Sequence, residues 1–275
     1  MSTKWVNKGF KAQIISMLEK LPIISFYSRT RGWYYMISWG HRIAGILLVI
    51  LLWIYIYSLT TLCTPSSFNV TVQASRPFIF ALFQWILAIP VIFHAFNGGR
   101  LILYESFGNR NDEGMIRWVL GLSVLYMALL GLIMLMGDQS ISEFLFWIFI
   151  FIIALIPAYM VATRIRNTEH SFFWKFQRIS GAFLIVMVPA YLLFVQLNPL
   201  AGKDASVTIM GMKNFFIKAV YLGLLVGALY HGGYGLWSIV SDYFSSRTIR
   251  TGVALLVTLV MLIFAWAGIR LCLAI

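Results

Sequence analysis

Charged residues are scarce in this sequence: Asp, Glu, Lys and Arg make up 11% of its 275 residues, while 61% are hydrophobic. That balance excludes an ordinary soluble globular protein and is typical of a membrane protein. Among the charged residues the acidic ones are fewer, with nine Asp and Glu against 21 Lys and Arg. The resulting net charge of +12 is compatible with nucleic-acid binding, so the positions of the basic residues must decide that question.

Cysteine is nearly absent as well. Cys63 and Cys272 form no C-x-x-C pair, which argues against an iron–sulfur cluster or a structural zinc site held by this chain. We expect two unbridged thiols in apolar surroundings, with a disulfide between them as the alternative. Nothing in the chain resembles a dinucleotide-binding fold, so any flavin chemistry belongs to a partner.

Long apolar runs dominate the rest of the chain and are long enough to cross a bilayer. They predict an all-α transmembrane bundle of about seven helices, at residues 36–60, 78–103, 117–137, 142–163, 174–197, 215–241 and 251–274. A polar N-terminal arm, residues 1–35, precedes the first run, which has no small-residue cleavage site and therefore is not a removable signal peptide. The arm fits an interfacial helix, a docking segment for a soluble subunit, or both.

Basic residues cluster on one side of these helices. With the N-terminus in the cytoplasm, 16 of the 21 Lys and Arg residues lie at the cytoplasmic side. This bias predicts a multi-pass protein of the cell inner membrane, with a cytoplasmic N-terminus and the C-terminus on the outer side. The same bias argues against nucleic acid as a partner, and it fits anionic lipid or an acidic face on a soluble partner.

The chain contains an internal repeat. The segment Gln177-Arg178-Ile179-Ser180-Gly181 repeats His41-Arg42-Ile43-Ala44-Gly45 at an offset of 136, and His231 repeats His94 at an offset of 137. We therefore predict a three-helix unit at residues 36–138, a linker helix at 139–168 and a second three-helix unit at 169–275. The linker is needed because three helices end on the far side of the membrane, and one more crossing gives both units the same orientation.

The two repeated histidines are candidate metal ligands. Each lies in an apolar run, with a glycine four residues on (Gly98 and Gly235), and each is roughly 15 Å from the cytoplasmic end of its helix by helical rise. We expect the glycines to open space beside the imidazoles. Histidine within a membrane is costly, and two imidazoles at matched depth can supply both axial positions of a haem iron. A hydrogen-bonded pair of core histidines is the alternative interpretation.

A layer of polar residues is predicted at the cytoplasmic boundary, beyond the histidines. It combines the starts of the first and fifth helices with the ends of the second and sixth: Ser38, His41, Arg42, Arg178, Glu105, Asp242 and Tyr243. Cationic groups there suit haem propionates, and we assign this role to His41, Arg42 and Arg178. Ser38 and Tyr243 are candidate hydrogen-bond donors to a quinone, and Asp242 is a candidate proton relay. Simple ion pairs with Arg are the alternative for the carboxylates.

These motifs resemble a known family. Ser38-x-x-His41-Arg42-x-x-Gly45, with His94-x-x-x-Gly98 and an acid at 105, is similar to the larger cytochrome b anchor subunit of succinate dehydrogenase. His231-x-x-x-Gly235 ending in Asp242-Tyr243 is similar to the smaller anchor subunit, so the chain resembles the two fused head to tail. Two positions depart from the pattern: Glu105 replaces the usual Asp, and Leu101 replaces the usual His.

The resemblance implies the membrane anchor of a succinate:quinone or quinol:fumarate oxidoreductase (complex II of electron transport and the tricarboxylic acid cycle). It implies axial ligation of haem b by His94 and His231, and a quinone site formed by Ser38, Arg42 and Tyr243 with Asp242 behind the tyrosine. The implied partners are a flavoprotein subunit, which carries the succinate chemistry, an iron–sulfur subunit, ubiquinone or menaquinone, and membrane lipid. A higher oligomer of the complex is compatible with it.

A related class of anchors carries a second haem, whose ligands would fall at Tyr55 and Tyr191 here. Tyrosine is a poor replacement for a bis-histidine ligand, so we predict one haem. Two other functions remain open from the residues alone. A small transporter with parallel repeats predicts broken helices around a polar midplane site, whereas Pro90, Pro157 and Pro189 are the few breakers present. A haem-free membrane tether for a soluble dehydrogenase is the third possibility.

Overall fold

The structure is a computed structural model that describes residues 20–21, 24–25, 30–73, 78–137, 139, 141–202 and 204–275. Most of the N-terminal arm, residues 1–35, lies outside the described residues, so both interpretations of the arm stay predictions. In the described part of the chain every regular element is helical. The all-α prediction is therefore confirmed.

Nine α-helices follow one another in the described part of the chain, seven of them long. They are α1 (Trp33–Thr60), α2 (Pro65–Gln73), α3 (Phe78–Phe107), α4 (Asp112–Met136), α5 (Glu143–Ile165), α6 (Phe172–Leu197), α7 (Ala205–Met212), α8 (Phe215–Tyr243) and α9 (Arg247–Ala274). Seven are long and apolar enough to cross a membrane, which confirms the predicted spans to within a few residues at each end. The protein is thus a multi-pass membrane protein.

Local sequence explains where several long helices begin. Each of α4, α5, α6, α8 and α9 starts behind an Asn or Ser whose side chain accepts a hydrogen bond from a backbone N–H of the first turn. Such caps satisfy amide groups that have no partner within the helix. Prolines do not end the helices, because α3, α5 and α6 each continue through one. The broken helices that a transporter predicts are therefore not found in the seven described spans.

Four helices form a closed ring at the centre of the bundle: α1 packs on α3, α3 on α6, α6 on α8, and α8 on α1. The helix contacts follow the internal repeat, because each helix of the first unit has packing partners equivalent to those of its counterpart in the second unit. Outside the ring, α4 covers α3 and α6, and α9 covers α8 and α1 in the equivalent way. Haem ligands predicted on α3 and α8 therefore lie on opposite sides of one four-helix core.

The linker helix α5 lies outside this symmetry and packs mainly on α6. It contributes a buried tryptophan and a half-buried glutamate to the bundle. Trp147 is fully buried, and Glu143 accepts a hydrogen bond from the Tyr221 hydroxyl at 3.1 Å. The cysteines lie apart from these contacts: Cys63 is exposed, Cys272 is buried, and both are free thiols.

Candidate functional site

His94 on α3 and His231 on α8 face each other across the core. Their ring centroids lie 6.2 Å apart, with the ring planes nearly perpendicular. The Nδ1 of His94 is 3.1 Å from the backbone carbonyl oxygen of His41. Since a carbonyl only accepts, Nδ1 must carry the proton, which leaves Nε2 with a free lone pair.

The second histidine is held by a related arrangement. The Ser180 hydroxyl donates to the backbone carbonyl of Gln177 at 3.1 Å, and Gln177 is the residue that corresponds to His41. The same hydroxyl lies 3.4 Å from Nδ1 of His231, and because its own proton goes to the carbonyl, it accepts from Nδ1. In each repeat, therefore, the start of one helix holds the imidazole of the next with Nε2 free. A hydrogen bond from the distal ring nitrogen is the usual support of a metal-ligating histidine.

Glycines on the facing helices make room for these two rings. A Cβ atom at Gly45 of α1 would lie 3.1 Å from Cε1 of His94, and one at Gly181 of α6 would lie 3.0 Å from Cε1 of His231. Any larger residue at either position would press on the imidazole. The glycines predicted for this role, Gly98 and Gly235, instead face the side chains of His41 (3.7 Å) and Gln177 (3.8 Å).

The donor set fits a haem iron. Two imidazoles approach each other from opposite helices, each hydrogen-bonded through Nδ1 and each beside a glycine of a facing helix. Metal–imidazole bonds of about 2 Å on either side of an iron separate the ring centroids by about 6 Å, which agrees with the 6.2 Å observed. In the alternative interpretation, a pair of hydrogen-bonded core histidines, the bond from His94 to the His41 carbonyl is itself the bridge between two helices.

His41 lies next to this pair. Its ring stacks on that of His94, with centroids 4.0 Å apart and planes within 4°. Its Nδ1 is buried and has no hydrogen-bond partner in the described part of the chain. A buried polar atom without a partner is costly unless a ligand or water satisfies it. The orphan nitrogen is consistent with the predicted role of His41 toward a haem propionate.

Arg42, Asp242 and Tyr243 come together at one end of the bundle. Nη1 of Arg42 donates to the Tyr243 hydroxyl and Nη2 to the Asp242 carboxylate, both at 2.7 Å. The guanidinium also lies over the tyrosine ring, 5.5 Å from its centroid. Because the phenol oxygen accepts from Arg42, its own proton is available to a third group, and Tyr243 is 49% exposed.

Ser38 lies at the same end of α1 but is not drawn into this cluster. It is half-buried, and its hydroxyl has no partner among the residues described. Its neighbour Trp39 does make contact, with its ring 5.9 Å from that of Tyr243. The structure thus brings three of the four predicted quinone-site residues together and leaves Ser38 nearby with a free hydroxyl.

Arg178, which we expect from the sequence to lie beside a haem propionate, forms an ion pair within the chain. Its Nε donates to Glu105 at 2.7 Å, and its guanidinium lies 4.9 Å from the centroid of the Trp174 ring. This ion pair corresponds to Arg42–Asp242 by the repeat, and both pairs join the first helix of one unit to the second helix of the other. Pairing with Arg, our alternative for the carboxylates, is thus observed at both acids. The position equivalent to Tyr243 is Ser106, so only one of the two pairs carries a phenol.

Two further polar sites were missed by the sequence reasoning. Asn97 and Arg100 on α3 are buried one and two turns beyond His94 (0% and 3% exposed). The available signal was a pair of polar residues inside an apolar helix. The other site joins Tyr55 and Tyr191, whose hydroxyl groups are hydrogen-bonded to each other. These are the positions at which we predicted that a second haem would have no ligands.

Comparison with known proteins agrees with the repeat. The sequence model of a family described as succinate dehydrogenase/fumarate reductase transmembrane subunit matches residues 27–135 and again residues 157–267. No individual curated protein and no solved structure matches the chain. The two matched segments together span most of the chain and contain both histidines and both arginine–carboxylate pairs. The chain therefore belongs to the family of succinate dehydrogenase/fumarate reductase transmembrane subunits, with one copy of the family's sequence in each half.

Proposed function

We propose that this membrane anchor holds one haem b and passes electrons between an iron–sulfur subunit and membrane quinone, as part of a succinate:quinone oxidoreductase or a quinol:fumarate reductase. The observation that carries the proposal is the duplicated ligand arrangement. Nδ1 of His94 is hydrogen-bonded to the His41 carbonyl, Nδ1 of His231 lies 3.4 Å from the Ser180 hydroxyl, and each ring packs against a glycine of the facing helix. Each histidine is thus held through Nδ1, which leaves Nε2 as the nitrogen that can ligate a metal.

When bound between these imidazoles, haem b supplies a one-electron redox centre. The chain's own residues position it and serve the quinone. Tyr243 donates its phenolic proton to a quinone carbonyl while its oxygen accepts from Arg42. Asp242 holds Arg42 in place and is the nearest acid from which a proton can be resupplied. The Ser38 hydroxyl is a second donor for the same head group.

The reaction at the dicarboxylate belongs to partners. We infer a flavoprotein subunit for succinate or fumarate and an iron–sulfur subunit that docks at the end of the bundle carrying Arg42 and Tyr243. The basic side of the membrane-spanning helices, which holds 16 of the 21 Lys and Arg, matches the cytoplasmic face of an inner membrane. The quinone-reducing part of the enzyme's activity then lies in this chain, at that face.

A reduced-minus-oxidised spectrum of the purified full chain, with a pyridine haemochrome assay, tests the proposal. We expect a b-type spectrum, one haem per chain, and loss of both in His231→Ala. A folded, membrane-inserted chain without any haem absorbance would instead indicate a haem-free tether. Two haems per chain would contradict the assignment of Tyr55 and Tyr191 as non-ligands.

A further inference from the structure

Arg100 and Asn97 form a buried pair on α3 that the proposed function does not yet use. Nε of Arg100 donates to the Asn97 side-chain oxygen at 2.8 Å, and Nη1 forms an ion pair with Asp112 at the start of α4. The remaining donors, Nη2 of Arg100 and Nδ2 of Asn97, are buried and have no hydrogen-bond partner within the described residues. Two adjacent unsatisfied donors are costly, and they indicate an acceptor that the chain itself does not provide.

The pair borders the haem region. The His41 ring packs against α3 at Gly98, which lies between Asn97 and Arg100 in the sequence. Tyr34, two turns before His41 on α1, lies over the Arg100 guanidinium with its ring centroid 5.5 Å from Cζ. The orphan Nδ1 of His41 therefore lies in the same seam between α1 and α3 as the two orphan donors.

The position of Arg100 along the helix and the charge of its guanidinium indicate which kind of ligand the pair binds. Arg100 is six residues beyond His94, so its Cα lies about 9 Å further along the helix, towards the end that carries Arg42. Carboxylate side groups of a macrocycle ligated at His94 extend over a comparable distance. A carboxylate offers several acceptor sites, and its hydrogen bonds to a guanidinium are charge-assisted.

The two arginines to which we assigned the propionates from the sequence already have partners on their donors. Both Nη atoms of Arg42 are taken, by Tyr243 and Asp242, and Arg178 is bound to Glu105. The second repeat offers no equivalent of the buried pair, because Tyr234 and Trp237 replace Asn97 and Arg100 there. A ligand held by this pair would thus be bound on one side of the pseudo-symmetric core.

We propose that Arg100 Nη2 and Asn97 Nδ2 bind a propionate carboxylate of the haem, with His41 at the edge of the site. This inference rests on the proposed function, and it moves the main propionate contact from Arg42 and Arg178, where the sequence placed it, to a residue pair on the ligand helix itself. Because the pair occurs in one repeat, it also selects one of the two orientations in which the macrocycle can enter the core.

Haem esters provide a test that does not depend on enzyme activity. The full chain is produced haem-free and titrated with protohaem IX or with its dimethyl ester, and the two Kd values are read from the Soret band. In the wild type, we expect esterification to weaken binding by about tenfold or more, the loss of a charge-assisted hydrogen bond. In Arg100→Gln and in Asn97→Leu we expect most of that penalty to disappear, while Arg178→Gln retains it.

Each result decides the question. If Arg100→Gln weakens both haems equally, the residue is a structural partner of Asp112 and the inference is wrong. If the loss of affinity on esterification disappears in Arg178→Gln instead, the propionate lies at the Arg178–Glu105 pair. That result also overturns the inference. Asn97→Leu leaves the Arg100–Asp112 ion pair intact. If Arg100→Gln does not fold, the result for Asn97→Leu therefore decides the question. A wild-type chain that binds neither haem would overturn the proposed function itself.

Discussion

The hydroxyl groups of Tyr55 and Tyr191 meet in a hydrogen bond, although the residues are 136 positions apart and occupy the same place in the two repeats. Equivalent residues touch only at the pseudo-twofold axis that relates the units. A second contact of this kind joins Asn69 to the backbone N–H of Ala205, again 136 positions on. The axis thus passes between the tyrosines and, further along the core, between His94 and His231.

The tyrosine pair is part of a larger hydrogen-bonded and aromatic cluster on the far side of the core from Arg42. Trp147 of the linker helix stacks on Tyr191 and contacts Tyr221, whose hydroxyl binds Glu143. The cluster includes Tyr55 and Tyr191, the two positions at which the resemblance would place the ligands of a second haem. We expect the cluster to contribute to stability, and this contribution should be separable from haem binding.

Tyr191→Phe should lower the free energy of unfolding by about 1–2 kcal/mol, because it removes one hydrogen bond and leaves the Tyr55 hydroxyl without its partner. The haem spectrum should not change. Thermal unfolding in detergent measures the loss. The double variant Tyr55→Phe/Tyr191→Phe should cost less than the sum of the single variants, since both polar groups are then gone. Additive losses of stability, or loss of haem, would contradict a purely structural role for the hydrogen bond between Tyr55 and Tyr191.

Gly45→Ala and Gly181→Ala should each reduce haem content several-fold. The added Cβ would lie about 3 Å from the imidazole of His94 or His231 and must displace the ring from its position. Haem per chain, measured by pyridine haemochrome, is the readout. Gly223→Ala on α8 is the matched control, because a Cβ there has nothing within 4 Å. Equal haem content in all three variants would contradict the close-packed ring positions.

Much of this architecture follows from the sequence, because hydropathy determines the number of helices and the repeat relates His94 to His231. The repeat does not determine which helices touch. Arg42 could pair with Glu105 of its own unit or with Asp242 of the other, and only the ring order of α1, α3, α6 and α8 shows that the pairs cross between units.

The buried environment of Arg100 was hidden for a related reason. An arginine near the end of a transmembrane helix usually extends to the interface, and the sequence cannot show that Tyr34 and Asp112 enclose it. The rotation of each helix about its own axis determines such contacts, and the hydropathy pattern gives little information about that rotation. Gly45 and Gly181 were visible in the repeated motif, but the rings they accommodate lie on other helices.

Tyr243→Phe should spare the haem and lower kcat/KM for quinone by about 10- to 100-fold, because the variant keeps the ring and loses the donated proton. Quinone reduction by the assembled complex is the assay, with the haem spectrum as a check on folding. Tyr104→Phe is the control: this tyrosine, near the end of α3, packs against Arg110 and not against Arg42. Unchanged turnover in Tyr243→Phe would rule out the phenol as the donor.

The two pseudo-equivalent carboxylates allow the same chemical change to be made at the ion pair that we propose serves the quinone and at its counterpart in the other repeat. Asp242→Asn and Glu105→Gln each remove a partly exposed charge partner of an arginine, for which we expect at most about 1 kcal/mol of stability. Their effects on quinone reduction should differ. Asp242→Asn leaves Arg42 without its anion beside Tyr243 and removes the nearest acid, so turnover should fall about tenfold or more. At Glu105, by contrast, the neighbouring residue is Ser106 and not a tyrosine. Glu105→Gln should therefore leave turnover within about twofold. If both substitutions reduced turnover alike, the second pair would also serve the quinone, and the functional asymmetry that we infer from Tyr243 and Ser106 would be wrong.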